Sequence, residues 1–347
     1  MNIRGYRKLL SLIGVLSIAL FAIAACSSDD SGSDLPGDGV TVQSARATWN
    51  TGYFNEAIYS RGLEELGYTV KEYLELDNPL FYQSVGLGEV DFWANGWFPA
   101  HNQYAEQFRP GADIYGTVVK GGALQGYLID KAGADEFGIT SLADFERPEV
   151  AAAYDTDGDG KANLTACPPG WGCNTIISYH LDELNLRDFI NEGTAGYSPA
   201  MADTLARYAN GEHILFYTWT PNWTVSQLVP GEDVVWINIP GAVHPEGLTE
   251  AELTHSGILG AVTDPILMGF AASDIQVVAN NEFIDDNPAA KKLFSEMQLT
   301  LGAVANQNNK MNEGEDSDAD IQSHVDQWIA ANQVTWDGWI TAAKDAG

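Results

Sequence analysis

Basic side chains are scarce in this sequence: 17 Lys and Arg stand against 48 Asp and Glu, a formal net charge of −31 at pH 7. Binding to nucleic acid depends on clustered cations that displace counterions, so this balance excludes nucleic acid as a partner. The excess of carboxylates favours solubility and equally suits a saline habitat. Cysteine is also rare, at three residues, too few for a disulfide scaffold but enough for one pair and one residue left over. No internal repeat is present, which excludes solenoid and propeller architectures.

The first 25 residues differ from the rest. Arg4, Arg7 and Lys8 precede an apolar run from Leu9 to Ala25, broken only by Ser11, Gly14 and Ser17. This is the layout of a secretory signal. Its end, Ile23-Ala24-Ala25-Cys26, resembles the lipobox of bacterial lipoproteins, in which the cysteine is lipidated and becomes the first mature residue. The competing reading, an uncleaved anchor, fits less well because the run is short for a membrane span. Setting the signal's three cations aside leaves a mature charge of −34. Residues 26–40 begin with a Ser- and Asp-rich stretch without apolar period and read as a flexible tether.

With Cys26 assigned to lipid, Cys167 and Cys173 form an even pair in an oxidising compartment, which implies a disulfide. For so short a loop the bond is worth about 2 kcal/mol by chain entropy.

From Thr41 onward, short apolar strands alternate with amphipathic helices, an α/β pattern. Thr41–Trp49 reads as a strand, Tyr53–Leu66 as a helix stopped by Gly67, and Tyr68–Leu74 as a second strand, together a βαβ unit. Ser198-Pro199 reads as an N-cap and first-turn proline opening a helix that runs to Asn210, ahead of a strand His213–Thr218. Asn287-Pro288 opens another helix in the same way. Ile321, Val325, Trp328 and Ile329 mark one buried stripe at helical spacing. Roughly 300 residues are too many for one simple core, so two lobes are expected. Lobe I takes residues 41–129 and 271–347, with strand-like Ile275–Ala279 rejoining it, and lobe II takes 130–270.

The stretch Cys167-Pro-Pro-Gly-Trp-Gly-Cys173 clamps a tryptophan between two cysteines. Gly170 and Gly172 leave the neighbouring backbone N–H groups open to approach. A pinned surface loop is the plainer reading of the same residues. Trp97, in Asn95-Gly96-Trp97-Phe98-Pro99, and Trp219, in Thr218-Trp219-Thr220-Pro221, share this turn-rich setting. Singly, each of the three fits a core role. Jointly they offer aromatic faces to a cation that cannot donate hydrogen bonds, above all a quaternary ammonium. His101, four residues beyond Trp97, and the N–H groups of Gly172 and Cys173 would then serve an anionic end of the same ligand. His101 alone reads equally as a solvated loop histidine.

Asp155-Thr156-Asp157-Gly158-Asp159-Gly160 supports rival readings. Aspartates at positions 1, 3 and 5 with glycine at 6 mimic the start of a calcium loop, but Ala166 stands at position 12 where a bidentate glutamate belongs. A solvated Asx-rich turn explains Asp155, Asp157 and Asp159 without metal. An exported hydrolase using Asp155 as nucleophile and Asp157 as acid is the enzymatic alternative. The preceding Ala151–Tyr154 makes a poor buried strand for it, and a reactive Cys173 thiolate would require an unpaired cysteine.

Several segments together carry a family resemblance: Leu124–Lys131, Asp155–Ala162, the Cys167–Cys173 clamp, Met201–Thr204, Phe216–Pro221, and Ile321-Gln322 through Trp328-Ile329. With these the chain resembles the glycine betaine/proline betaine-binding receptors of bacterial ABC importers. That resemblance implies a two-lobe periplasmic-binding-protein fold of type II with a hinge between lobes, no catalysis, no obligatory cofactor, and a monomer. Its partners would be a small zwitterion, an ABC permease and its ATPase. Three tryptophans of that family box the ligand's trimethylammonium group and match Trp97, Trp171 and Trp219. The carboxylate is held by a histidine matching His101 and by N–H groups matching Gly172 and Cys173, and the Cys167–Cys173 pair is shared. Trp49-Asn50-Thr51-Gly52-Tyr53, Phe98 and Gly241–Phe270 depart from the enteric receptors, which leaves the preferred zwitterion open.

Overall fold

The computed structural model describes residues 35–347, and the expected signal, the lipid-bearing Cys26 and most of the tether lie outside the described residues. The last residues of that tether, from Leu35, form a turn docked on the fold, with Gly37 N–H donating to Leu66 O at 2.8 Å.

The expected βαβ unit is present in divided form. Thr41–Val42 pairs in parallel with Thr69–Val70, and Ala45–Ala47 with Leu74–Leu76, the helix Thr51–Glu65 crossing between them. One long strand was expected. It breaks at Gln43 because Gln43 N–H donates to the Asp91 carboxylate at 2.7 Å instead of to a neighbouring strand. Ser44 then turns its hydroxyl inward onto buried Glu56, at 2.7 Å.

Two larger sheets carry the architecture. In the first, Ser273–Asn280 runs antiparallel between Phe92–Phe98 and Ala112–Ala123, so the strand expected at Ile275–Ala279 is the central one. The second has five strands in the order Val234–Ile237, Gln125–Asp130, Leu215–Trp219, Ala162–Thr165 and Ile190–Gly193. Mixed pairing places the strand ending in Trp219 at its centre, antiparallel to Gln125–Asp130 and parallel to Ala162–Thr165. Helices pack on these sheets, as an α/β pattern requires.

Helix boundaries follow side-chain burial more than capping signals. The helix expected with Ser198 as its cap begins two residues earlier, at Tyr197, with Gly196 at the cap and no side-chain cap bond. Tyr197 is pulled into the first turn by its own ring, which is buried with its centroid 4.7 Å from that of Trp219. Its hydroxyl lies 2.9 Å from Thr218 Oγ1. Asn287 and Pro288 do stand at cap and first turn, although the Asn287 amide donates back to Phe283 O rather than forward. Along Asp318–Ala331, Ile321, Val325 and Ile329 are buried as expected; Trp328 is only half-buried and stacks on Trp339, centroids 5.7 Å apart and 11° from parallel.

Candidate functional site

Trp97 is the last residue but one of the strand Phe92–Phe98 in the first large sheet, and Trp219 is the last residue of the strand Leu215–Trp219 in the second. Each is followed by an X–Pro bond, Phe98–Pro99 and Thr220–Pro221. Between the two strand ends lies the clamp. Cys167 and Cys173 are joined in a disulfide, Cα atoms 6.0 Å apart. Gly170 takes φ +90°, the left-handed conformation that glycine adopts without strain, and a Cβ there would meet Asp77 Oδ2 at 2.6 Å.

These elements converge on one cavity, lined by all six expected residues: Trp97, His101, Trp171, Gly172, Cys173 and Trp219. Trp171 and Trp219 meet nearly edge to face, centroids 5.6 Å apart and planes at 80°. Trp171 Nε1–H donates to Thr48 Oγ1 at 2.9 Å, and Trp97 Nε1–H to Asn95 Oδ1 at 2.7 Å. Both indole donors named here are thus used outside the cavity, leaving ring faces for it.

The polar side of the cavity is built from a helix end and a histidine. Gly172 and Cys173 are the first two residues of the helix Gly172–Glu183, whose cap residue Trp171 makes no side-chain cap bond. First-turn N–H groups have no acceptor inside their own helix and favour negative charge. Beside them His101 is buried, and burial lowers its pKa to about 3, so the ring is neutral at ordinary pH. Trp97 N–H donates to its Nδ1 at 3.1 Å, and the Tyr82 hydroxyl lies 2.7 Å from the same atom. Gly172 admits this ring at close range: a Cβ on residue 172 would stand 3.2 Å from His101 Cδ2 and 3.4 Å from Nε2. The cavity therefore offers aromatic faces on one side and N–H groups on the other, a surface suited to a methylated cation carrying a carboxylate.

A family model for the substrate binding domain of ABC-type glycine betaine transport system matches residues 40–331. The chain belongs to this family.

The glycine betaine-binding periplasmic protein OusX of Dickeya dadantii (strain 3937) is 39% identical over 340 residues, covering 97% of each chain. A glycine betaine/proline betaine-binding periplasmic protein of Escherichia coli (strain K12) is 40% identical over 315 residues, covering 90% of this chain and 93% of that one. Among solved structures, lactococcal OpuAC in its closed-liganded conformation with glycine betaine aligns with TM-score 0.62 at 17% identity, over 87% of this chain and 99% of that one. The fold is thus the type II periplasmic-binding-protein fold, and the family is one of exported substrate-binding proteins of transporters, not of enzymes.

Other cavity residues escaped the sequence reading of this family member. Trp49, expected as a strand end and as part of a segment that departs from the enteric receptors, lines the cavity with its centroid 5.3 Å from that of Trp171. Asn78 and Gln125 line it too, and Tyr217 donates its hydroxyl to Gln125 Oε1 at 2.7 Å. A signal for Tyr217 was available, because strand period two puts it on the same face as Trp219.

The Asp155 loop does not join this cavity. One oxygen each of Asp155, Asp157 and Asp159 lies within 4.8 Å of the others. Those carboxylates are engaged with the loop's own backbone. Asp155 accepts from Asp157, Gly158 and Gly160 N–H, which lowers its pKa, Gly160 and Gly158 contributing most. Ala166, at the twelfth position, is buried and brings no carboxylate. Pro148–Ala153 is a helix, so Asp155 does not end a buried strand as a phosphoaspartyl nucleophile requires.

Proposed function

We propose that this protein is the extracytoplasmic receptor of an ABC importer for glycine betaine and proline betaine-type zwitterions. The carrying observation is one cavity that holds Trp97, Trp171 and Trp219 together with His101 and the helix-end N–H groups of Gly172 and Cys173. The tryptophan faces take the quaternary ammonium by cation–π attraction, worth about 0.5–2 kcal/mol per desolvated contact. The carboxylate takes charge-assisted hydrogen bonds from Gly172 N–H, Cys173 N–H and His101 Nε2–H.

Residues 41–129 with 271–347, and 130–270, act as the two lobes that close on this ligand. Pairing of Gln125–Asp130 within the five-stranded sheet supports setting the first passage between them at about Leu124. Thr220 braces that passage: its N–H donates to Leu124 O at 2.9 Å. Several bonds already run from one side to the other, including Thr51 Oγ1 to Pro221 O at 3.3 Å and Asn308 Nδ2 to the same oxygen at 3.0 Å. Lipidation of Cys26 tethers the receptor to the membrane beside its permease and ATPase, and it acts there as a monomer.

Calorimetric titration with glycine betaine, proline betaine, carnitine and choline tests this reading. Saturable binding of a betaine is expected. Choline carries the same cation without the carboxylate, and choline binding as tight as that of glycine betaine would refute the carboxylate half of the site.

A further inference from the structure

We infer that Asn78 is a further ligand-reading residue of this site, presenting its amide NH2 to the anionic end of the ligand. The inference rests on the betaine-type reading above and deepens it.

Proton counting on His101 carries the argument. The imidazole is buried among uncharged partners and holds a single proton. A backbone N–H can only donate, so the bond from Trp97 N–H at 3.1 Å makes Nδ1 an acceptor. The Tyr82 hydroxyl, 2.7 Å from Nδ1, donates to the same lone pair. The ring proton therefore sits on Nε2. Only 2.8 Å from Nε2 is the end of the Asn78 side-chain amide that the structure assigns as Nδ2, and the proton count reverses that assignment. Were that end the NH2 group, two N–H donors would face each other. The carbonyl end of Asn78 consequently accepts from His101 Nε2–H, and the amide's other end is NH2.

That other end, assigned as Oδ1 before the amide is turned over, is buried and has no hydrogen-bond partner. Asn78 itself is 0% exposed and lines the cavity beside His101 and Gly172. An NH2 group buried without an acceptor costs free energy, and a ligand carboxylate entering from the cavity removes that cost. The position of Asn78 is fixed by the backbone: it is the first residue of the helix Asn78–Leu87, capped by Asp77, with Pro79 next to it. Nε2–H of His101 is then shared between the Asn78 oxygen and the ligand, while the Asn78 NH2 supplies a donor of its own. His101 is in this arrangement both donor and positioning residue for Asn78.

The test is calorimetry of the full chain and of the variants Asn78→Ala and Asn78→Asp with glycine betaine and with choline, thermal unfolding serving as the check on folding. A lost charge-assisted bond weakens binding about tenfold to a hundredfold. Asn78→Ala is expected to lose affinity for glycine betaine on that scale with choline affinity unmoved. Asn78→Asp replaces the donor by an anion, so it is expected to lose more on glycine betaine and to hold choline as well or better. Variants that bind glycine betaine like the parent overturn the inference, as do variants that lose both ligands equally, which marks a structural role. If choline binds too weakly to measure, the side-chain NH2 resonance of Asn78 decides: it is expected to shift on adding glycine betaine, and an unmoved resonance overturns the inference. A parent chain that binds no betaine refutes the underlying function instead, before any variant is made.

Discussion

Gly172 and His101 are packed so closely that a single methyl group at residue 172 would stand 3.2 Å from the imidazole Cδ2. That spacing is tighter than ordinary van der Waals contact at about 3.5–4.0 Å, so the ring must shift by a few tenths of an ångström to admit a side chain. Gly172→Ala is expected to fold, because the position is the first turn of a helix, and to weaken betaine binding about tenfold or more. Calorimetry beside thermal unfolding checks both halves.

Trp171 and Trp219 stand nearly perpendicular with centroids 5.6 Å apart. Replacing either by alanine removes a cation–π face together with buried aromatic area, and affinity for glycine betaine is expected to fall at least about tenfold. Trp171, half-buried and without a role in any strand, should cost less stability than Trp219, which is 4% exposed at the end of a central strand. Equal affinity in the Trp171→Ala variant would reject the aromatic box.

Stability should fall on acidification. Burial holds His101 and His180 down to about 3 in the fold, whereas an unfolded histidine takes up its proton near 6.5. Between those values the unfolded chain binds more protons, so stability is lost as pH drops from about 6.5 towards 3 and is independent of these groups above that window. Each contributes a slope of at most about 1.4 kcal/mol per pH unit. Glu56 works in the opposite sense, since burial raises its pKa and acid relieves its buried charge. Urea midpoints at pH 7, 6 and 5 test the sum, and a midpoint that does not fall across them refutes it.

The clamp predicts thiol content. Denatured, unreduced protein should titrate at most one thiol, from Cys26, because Cys167 and Cys173 are bonded. Reduction should lower unfolding stability by about 2 kcal/mol, the chain-entropy value for so short a loop. Three titratable thiols without reductant would contradict the pairing.

Asp155→Asn and Asp157→Asn should leave betaine binding unchanged. Asp155 accepts three N–H groups of its own loop, which organises the turn and leaves its carboxylate occupied. A loss of betaine affinity in either variant would tie the loop to the binding site.

The aromatic part of the site was legible in the sequence because Trp97, Trp171 and Trp219 each stand beside glycine or proline turn signals, although Trp97 and Trp219 prove to be buried strand residues. The alternation of Phe216-Tyr217-Thr218-Trp219 contained Tyr217 as well. Trp49 and Asn78 were not legible, since each enters the cavity by a tertiary route. Asn78 reaches His101 across 23 residues, and Trp49 reaches Trp171 from the far side of the chain crossing. The broken first strand has the same cause: the group that takes Gln43 N–H is Asp91, 48 residues away. Periodicity records which face of an element is buried, and it holds no record of a distant carboxylate competing for one backbone donor.

Trp171 faces the ligand cavity and at the same time holds Thr48 through its indole N–H. Gln103 reaches the same seven-residue loop from the other side, its amide donating to Gly172 O at 3.4 Å. In the proposed receptor these two contacts and the ligand's own contacts to both sides part together when the protein opens. Betaines of different affinity should then differ chiefly in how fast they leave. For an importer, that places the timing of solute release in the receptor's own opening step, where a permease can act on it.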